Sequence, residues 1–417
     1  MMQKSFWKAL GPGLIWAAAA VGVSHLVQST RAGADYGFQL IGVVLLANLF
    51  KYPFFQFGPR YAIATGESLI EGYRRMGRWV VVLFMLLTVG TMFTIQAAVT
   101  SVTVGIVSSV FPSSLSYVQV TFILLVACAV IILVGHYKML DRLIKGVVIL
   151  LVLSTVMALV FAIGINEVSV VSNHIPFEWN MNNVAFLIAL VGWMPSAVDI
   201  SVWNSLWTLA KIESTGYKPK LKEVLLDFNI GYIGTVVLSL VFLTLGALIM
   251  FNSGETFAQG GVGFANQFFA LYTRSIGQWS YAIIAIAAIA TMFSTTLTVL
   301  DAYPRVLNPI AAVLVPKTNK PEIQKRLSYL WMFLLVAGAV IIIASFSEKM
   351  KLLVDVATTL SFITAPVLGF LNLKAITGKN VAPEFQPGLG MKILSWTGLV
   401  VLSGFAIYYI LMQIGII

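Results

Sequence analysis

Long apolar stretches follow one another along the whole chain, and the charged residues lie mainly in the short segments between them. Hydrophobic residues make up 59% of the 417 residues and charged residues 10%, against about 25% charged residues in ordinary soluble domains. A helix that spans a bilayer needs about 20 consecutive apolar residues. We therefore predict an all-α integral membrane protein that forms one transmembrane domain over residues 1–417. Its eleven predicted membrane helices are centred near Ala19, Leu45, Thr94, Leu125, Leu153, Met194, Leu240, Ala287, Val336, Phe362 and Val401.

The sixth apolar stretch, residues 187–206, has an irregular centre. It contains Gly192, Pro195 and Asp199, which either free backbone hydrogen-bonding groups or place a charge in hydrocarbon. Such breaks are tolerated only where the exposed backbone faces protein or a water-filled cavity, and in secondary transporters they form the substrate site near the middle of the membrane. The sequence therefore predicts a broken helix here.

The first apolar stretch, residues 17–33, is interrupted in a similar way by Gly22, Ser24 and His25. Each irregular stretch opens a group of five predicted helices, and because five is odd, the two groups have opposite orientations in the membrane. This arrangement predicts a five-plus-five inverted repeat of the amino-acid transporter (LeuT-like) type with broken first and sixth helices. The two predicted repeats are residues 11–164 and 183–372, and residues 393–416 form an additional helix.

The basic residues are distributed unequally between the two sides of the predicted bundle. Of the 26 Lys and Arg residues, about 21 fall on the side that holds the N-terminus and four on the other. Lys51 lies within a span. This bias predicts a multi-pass protein of the cell membrane with a cytoplasmic N-terminus and a C-terminus outside. The net charge is +10. We interpret the basic residues behind it as topology determinants and contacts to anionic lipid, and not as a nucleic-acid surface.

Motifs of soluble enzymes are absent from the sequence. It has neither a phosphate-binding Gly loop followed by Lys and Ser or Thr, nor a His-Glu-x-x-His motif. The single Cys128 can form no internal disulfide bond. We expect no enzymatic activity and no cofactor, and an ion gradient is the expected source of energy.

Several short motifs resemble one family. They are residues 11–14 (GPGL), 31–37 (RAGADYG), 43–48 (VVLLAN) and 64–67 (ATGE), and Met194–Pro195. Together they resemble the Nramp family of proton-coupled divalent metal transporters. The resemblance implies a fold with five-plus-five inverted helices, in agreement with the helix count.

The sequence departs from the family pattern at both breaks. The first-helix motif Asp-Pro-Gly-Asn of the family is replaced by Gly-Val-Ser-His at residues 22–25, so that the metal-binding Asp falls on Gly22 and the Asn on His25. The sixth-helix motif Met-Pro-His is replaced by Met-Pro-Ser at residues 194–196. The resemblance implies that the Met194 thioether ligand is kept, and that the His linked to proton movement is replaced by Ser196.

The candidate substrate-binding residues all lie in the two breaks; they are Gly22, Ser24, His25, Met194, Ser196 and Asp199. His25, Met194 and Asp199 are the candidate metal ligands, because imidazole, thioether and carboxylate groups bind divalent metals. Asp199 would replace the missing first-helix carboxylate, or pair with a protonated His25. A structural salt bridge between Asp199 and Lys51 is the competing interpretation.

These observations predict a monomeric secondary transporter that moves a divalent metal cation inward by alternating access, with protons as a candidate symported ion. Two alternatives stay open. One is an Nramp-fold transporter of a small anion or organic solute, held by the N-termini of half-helices and by exposed backbone. The other is a membrane sensor that does not transport.

Overall fold

The computed structural model describes residues 11–134, 137–165, 177–251, 253, 255–346 and 349–416, without the side chains of residues 137–148. These residues form fifteen α-helices, and none of them forms a strand. The helices of the first half are α1 (Pro12–Ala20), α2 (Thr30–Tyr36), α3 (Ile41–Thr65), α4 (Leu69–Met76), α5 (Arg78–Val110), α6 (Tyr117–Val134) and α7 (Tyr137–Ile165). Those of the second half are α8 (Met181–Gly192), α9 (Ile200–Thr215), α10 (Leu221–Ile249), α11 (Gly261–Ser275), α12 (Ser280–Leu314), α13 (Pro321–Phe346), α14 (Met350–Ile376) and α15 (Leu389–Gln413).

The described part of the chain contains the eleven predicted membrane helices. Eight are unbroken, long and apolar enough to cross a bilayer, namely α3, α5, α6, α10, α12, α13, α14 and α15. The ninth is α7, which has 29 residues and is apolar over Ile149–Gly164. The other two are the broken pairs α1 with α2 and α8 with α9. Every predicted centre lies in its helix or, for Met194, in the break, so the prediction of an all-helical membrane protein is confirmed.

The order of the helices repeats between the two halves. A broken helix is followed by a long helix, a short helix and three further long helices, first from α1 to α7 and then from α8 to α14. The short members, α4 and α11, stand at the same place in each half. This order agrees with the five-plus-five architecture, with α15 outside it. The repeat boundaries at residues 11–164 and 183–372 stay a prediction.

The short helix α4 illustrates how sequence pattern places an element at the membrane surface. Leu69, Ile70 and Tyr73 are fully buried, whereas Arg74 and Arg75 are exposed and form ion pairs with neighbouring glutamates. One apolar face and one charged face suit a helix that lies along the interface and does not cross it.

The N-terminus of α1 is held by α10. The carboxylate of Asp227 accepts hydrogen bonds from the backbone N–H groups of Gly11 at 3.0 Å and Gly13 at 2.6 Å, and so satisfies donors that a helix start leaves without partners. A side chain on Gly13 would place its Cβ 2.3 Å from the Asp227 carbonyl oxygen. The GPGL motif thus allows α1 to dock closely on α10.

Glycines also bring α2 against α10. A Cβ on Gly33 would lie 1.9 Å from the Leu243 carbonyl oxygen, and one on Gly246 would lie 2.2 Å from that of Thr30. Small residues let membrane helices approach backbone to backbone, where van der Waals packing holds them together. Both halves of the broken first helix are therefore fixed to α10.

Candidate functional site

The first break separates α1 from α2. Helix α1 ends at Ala20, Val21 is extended, and Ser24–Ser29 form a π-helical turn that leads into α2. The Ser24 hydroxyl donates to the Ala20 carbonyl at 2.7 Å, which satisfies one backbone acceptor that the break exposes. Gly22 approaches α12, because a Cβ there would lie 3.0 Å from the Thr295 methyl carbon.

The second break joins α8 to α9 through residues 193–199. Helix α8 ends at Gly192, where a Cβ would lie 2.0 Å from the Thr358 carbonyl oxygen of α14. The Trp193 indole N–H donates to the Ser361 hydroxyl at 2.8 Å, which also ties the break to α14. Asp199 occupies the position before the first turn of α9, where the helix dipole favours a negative charge.

The two breaks meet at a cavity of about 30 Å³. A water molecule needs only about 10–15 Å³ by the same measure, so the cavity has room for water or a small ion. Its polar or aromatic lining residues come from both breaks, α9 and α12; they are Ser24, Trp193, Ser196, Asp199, Trp203, Thr295 and Tyr303. The structure thus brings three of the six predicted site residues, Ser24, Ser196 and Asp199, to one cavity.

Asp199 faces this cavity with its carboxylate uncommitted. The residue is 7% exposed, and in the described part of the chain neither carboxylate oxygen has a hydrogen-bond partner of ordinary geometry. The Tyr303 hydroxyl and the Ile200 amide are among the polar groups that face the carboxylate. Asp199 also lines a second, smaller cavity of about 10 Å³, to which Thr91 contributes. The competing salt bridge with Lys51 is not formed, because the Lys51 ammonium donates to carbonyl groups and neither Asp199 oxygen has a partner.

His25 is fully buried, and both of its ring nitrogens are occupied. Its Nε2 lies 3.0 Å from the Thr235 carbonyl oxygen of α10, and its Nδ1 lies 2.7 Å from the Ser24 hydroxyl and 3.1 Å from the Ala20 carbonyl oxygen. A carbonyl can only accept, so in a neutral ring Nε2 donates to Thr235, and the single Ser24 hydrogen goes either to Nδ1 or to the Ala20 carbonyl. His25 is not among the cavity-lining residues. Its role as a metal ligand stays a prediction, which would require another side-chain arrangement.

Met194 and Gly22 are likewise absent from the cavity lining. Met194 is fully buried, and the Met194–Pro195 peptide bond is cis. Among the residues that the structure describes, no three His, Cys, Asp or Glu side chains cluster to hold a metal ion. The cavity therefore offers one carboxylate and several hydroxyl groups, and any further metal ligand would have to come from backbone, water or a rearranged side chain.

Tyr303 was missed by the sequence reasoning. It lies in α12, packs its ring edge-on against Trp203 at a centroid distance of 5.2 Å, and presents its hydroxyl towards Asp199. A tyrosine in the apolar part of a membrane helix, directly before Pro304, is the signal that could have identified it.

A second polar cluster lies at the end of the bundle where α2 ends and α8 begins. The Arg31 guanidinium of α2 donates to both oxygens of Asp355 in α14, at 2.7 and 2.8 Å, and lies 4.2 Å from the Phe186 ring centroid. The Gln28 amide also donates to Asp355, at 3.2 Å. Arg31, Phe186 and Asp355 border a vestibule of about 590 Å³, which is also lined by Asp35, Asn183 and Lys351 among others.

Comparisons with known proteins agree with this architecture. The family model described as natural resistance-associated macrophage protein-like (Nramp) matches residues 13–412. The chain is similar to an uncharacterised protein of Pasteurella multocida, with 37% identity over 99% of this chain and 95% of that protein. It is similar to the divalent metal cation transporter MntH of Staphylococcus aureus, with 22% identity over 98% of this chain and 92% of that protein. Its fold is similar to that of a manganese transporter of Eremococcus coleocola, with a TM-score of 0.69, 13% identity, and coverage of 99% of this chain and 89% of that one.

Proposed function

This chain belongs to the Nramp family of membrane transporters, and we propose that it moves a divalent metal cation by alternating access through the cavity between its two broken helices. Asp199 is the main support for this proposal. Its carboxylate is buried, faces the cavity and has no hydrogen-bond partner of ordinary geometry among the described residues. A buried carboxylate without a partner is costly, and a cation in the cavity would supply the missing interaction.

The donor atoms around the cavity favour a hard cation. Besides the Asp199 carboxylate, the lining offers the hydroxyl groups of Ser24, Ser196, Thr295 and Tyr303. Oxygen ligands suit magnesium and manganese, and such ions can keep several water molecules in place of protein ligands. The thioether of Met194, which would select softer metals, does not line the cavity.

The Arg31–Asp355 pair supports alternating access. It joins the broken first helix to α14 beside the vestibule, and a transporter needs a contact of this kind that forms and breaks as one end of its pathway closes and opens. The pair is therefore a candidate closure between vestibule and cavity.

A small anion or organic solute is the second candidate substrate class. It is favoured by the composition of the cavity, where the first-helix Asp of the family is replaced by Gly22 and no group of three candidate metal ligands lies among the described residues. The dipoles of half-helices and exposed backbone groups would then hold the solute.

Uptake into proteoliposomes separates the two classes. Wild-type protein is expected to accumulate manganese or magnesium saturably, and Asp199→Asn is expected to lose this uptake while remaining folded. The matched control is Asp301→Asn, which removes a carboxylate that pairs with Arg305 away from the cavity. Absence of uptake for both metals, in protein that is folded and reconstituted, would contradict cation transport and direct the search to organic solutes and anions.

We further propose that the protein is a monomer of the cell membrane with its N-terminus in the cytoplasm and its C-terminus outside. The unequal distribution of Lys and Arg supports this orientation. The family resemblance makes the proton the symported ion to test first. The test is whether an inwardly directed proton gradient, with the more acidic solution outside, accelerates uptake.

A further inference from the structure

Lys51 is a cation buried at the centre of the bundle. It lies in the middle of α3, its side chain is inaccessible to solvent, and its neighbours along the helix are mostly apolar. A charged side chain inside a membrane helix is unfavourable unless it faces a compensating partner. The groups that compensate the charge of Lys51 therefore indicate what kind of site surrounds it.

The partners of Lys51 are backbone carbonyl groups of the second break. Its ammonium group donates to the carbonyl oxygens of Val191 at 3.0 Å, Gly192 at 2.9 Å and Ser196 at 2.8 Å. An ammonium group has three donors, so all three are used. In the described part of the chain no Asp or Glu forms a salt bridge with it. The three carbonyl groups are called the carbonyl cradle below.

The carbonyl cradle has the chemistry of a binding site for a monovalent cation. Val191 and Gly192 are the last residues of α8, where the helix dipole places partial negative charge. In broken transporter helices, unwound carbonyl groups and the C-terminal ends of half-helices coordinate sodium ions and protons. The Phe55 ring adds a face 5.8 Å from the Lys51 nitrogen, within the range of a cation–π interaction.

Contacts to α14 and α10 hold the carbonyl cradle and the ammonium group in place relative to each other. Gly192 packs against the backbone of Thr358, where not even a Cβ would fit. On the side of Lys51, the adjacent Tyr52 hydroxyl donates to the Asn229 side chain of α10 at 2.7 Å. The cradle is thus fixed to α14 and the lysine to α10.

We propose that the carbonyl cradle is a cation site that the chain fills with its own Lys51, so that a tethered ammonium group takes the place of a mobile alkali ion. The tether holds the ammonium group at the second break. It follows that this protein needs neither sodium nor potassium to stabilise the break. This role of Lys51 is the same whichever substrate the cavity carries.

Removal of the tethered cation tests the proposal. Lys51→Ala deletes the side chain beyond Cβ, and n-propylammonium contains the same three carbons and ammonium group. The unfolding temperature of purified Lys51→Ala in choline chloride is expected to fall below that of the wild type. It is expected to rise saturably with n-propylammonium, or with sodium or potassium, at constant ionic strength. 1-Propanol, which lacks the charge, should not restore it.

Two control variants exclude general effects of charge removal. Lys51→Met fills most of the space without a charge, so it should be destabilised and not restored by n-propylammonium. Lys374→Ala removes an exposed lysine that lies 5.6 Å from the Phe370 ring, a contact similar to that of Lys51 with Phe55. It should unfold at the same temperature in every salt.

The wild type provides a test that does not require a stable variant. Because the cradle is already filled, its unfolding temperature should be the same in sodium, potassium and choline chloride. Specific stabilisation of the wild type by sodium or potassium would overturn the proposal. Wild-type stability of Lys51→Met would do the same, as would a folded but destabilised Lys51→Ala that responds to none of the cations.

Discussion

Arg31 in α2 and Asp355 in α14 form an ion pair in which the arginine Nη1 donates to both carboxylate oxygens, at 2.7 and 2.8 Å. The pair connects residues more than 300 positions apart in the sequence and lies between the vestibule and the interior of the bundle. It joins the second half of the broken first helix to a long membrane helix. Under the proposal of alternating access, a change in this one contact alters access to the cavity.

Asp355→Asn is expected to open the cavity more often. Hydrogen bonds to charged groups contribute ~1.5–3 kcal/mol, so loss of the pair should raise the population of the open form by roughly tenfold or more. The measurement is the rate at which a thiol reagent labels Ser24→Cys, a position that lines the cavity, in a Cys128→Ala background. Glu255→Gln, which disrupts the exposed pair with Arg274, is the control and should not change the rate. Equal rates in both variants would show that the Arg31–Asp355 pair is not a closure.

His25→Gln is expected to keep cation affinity close to that of the wild type. Both ring nitrogens of His25 bond within the protein, and glutamine can still donate to the Thr235 carbonyl group. His25→Ala should instead lower the free energy of unfolding by about 1–3 kcal/mol, because a buried acceptor loses its donor. Thermal unfolding and calorimetric titration distinguish the two effects. Complete loss of binding in folded His25→Gln would favour the interpretation of His25 as a metal ligand.

Asp227→Ala is expected to destabilise the first broken helix. Its carboxylate accepts from the N–H groups of Gly11 and Gly13, and loss of a helix cap costs about 0.5–2 kcal/mol. Asp301→Ala, which removes the half-buried member of an i,i+4 ion pair whose arginine is exposed, should cost at most about 1 kcal/mol. The comparison is made by thermal unfolding in the same detergent. An equal loss of stability for both variants would be inconsistent with the cap.

Gly192→Ala is expected to reduce both stability and transport. The added Cβ would lie 2.0 Å from the Thr358 carbonyl oxygen, so α8 and α14 would have to separate at the second break. Gly234→Ala in α10 is the matched control, since a Cβ there meets nothing within 4 Å, and alanine is the better helix former. Unaltered uptake by Gly192→Ala would show that the break tolerates this separation.

The number and placement of the membrane helices could be predicted from the sequence because apolar length alone specifies a span. The breaks were detectable because Pro195 removes a helix hydrogen bond and Gly22 and Gly192 weaken a helix, in stretches whose apolar length is typical of a membrane span. The direction of the side chains at the breaks could not be predicted. His25 points to Thr235, 210 residues away, because α1 and α2 dock on α10, and this docking depends on tertiary contacts.

Lys51 is a second residue whose partner depends on tertiary structure and could not be predicted from the local sequence. Its position in an apolar stretch made it unusual, and Asp199 was the most obvious partner by charge. The structure instead pairs it with three carbonyl groups, because the end of α8 exposes acceptors that a sequence pattern does not display. As a result, the Asp199 carboxylate faces the cavity without a hydrogen-bond partner of ordinary geometry among the described residues.

The most direct test of cation transport through this cavity is isothermal titration of purified protein with manganese and magnesium, repeated on Asp199→Asn and on the Asp301→Asn control. We expect saturable binding to the wild type and to Asp301→Asn, and a loss of at least roughly tenfold in affinity for Asp199→Asn, which corresponds to ~1.4 kcal/mol or more. Equal affinity of folded Asp199→Asn and wild type would contradict the assignment of Asp199 as the cation ligand.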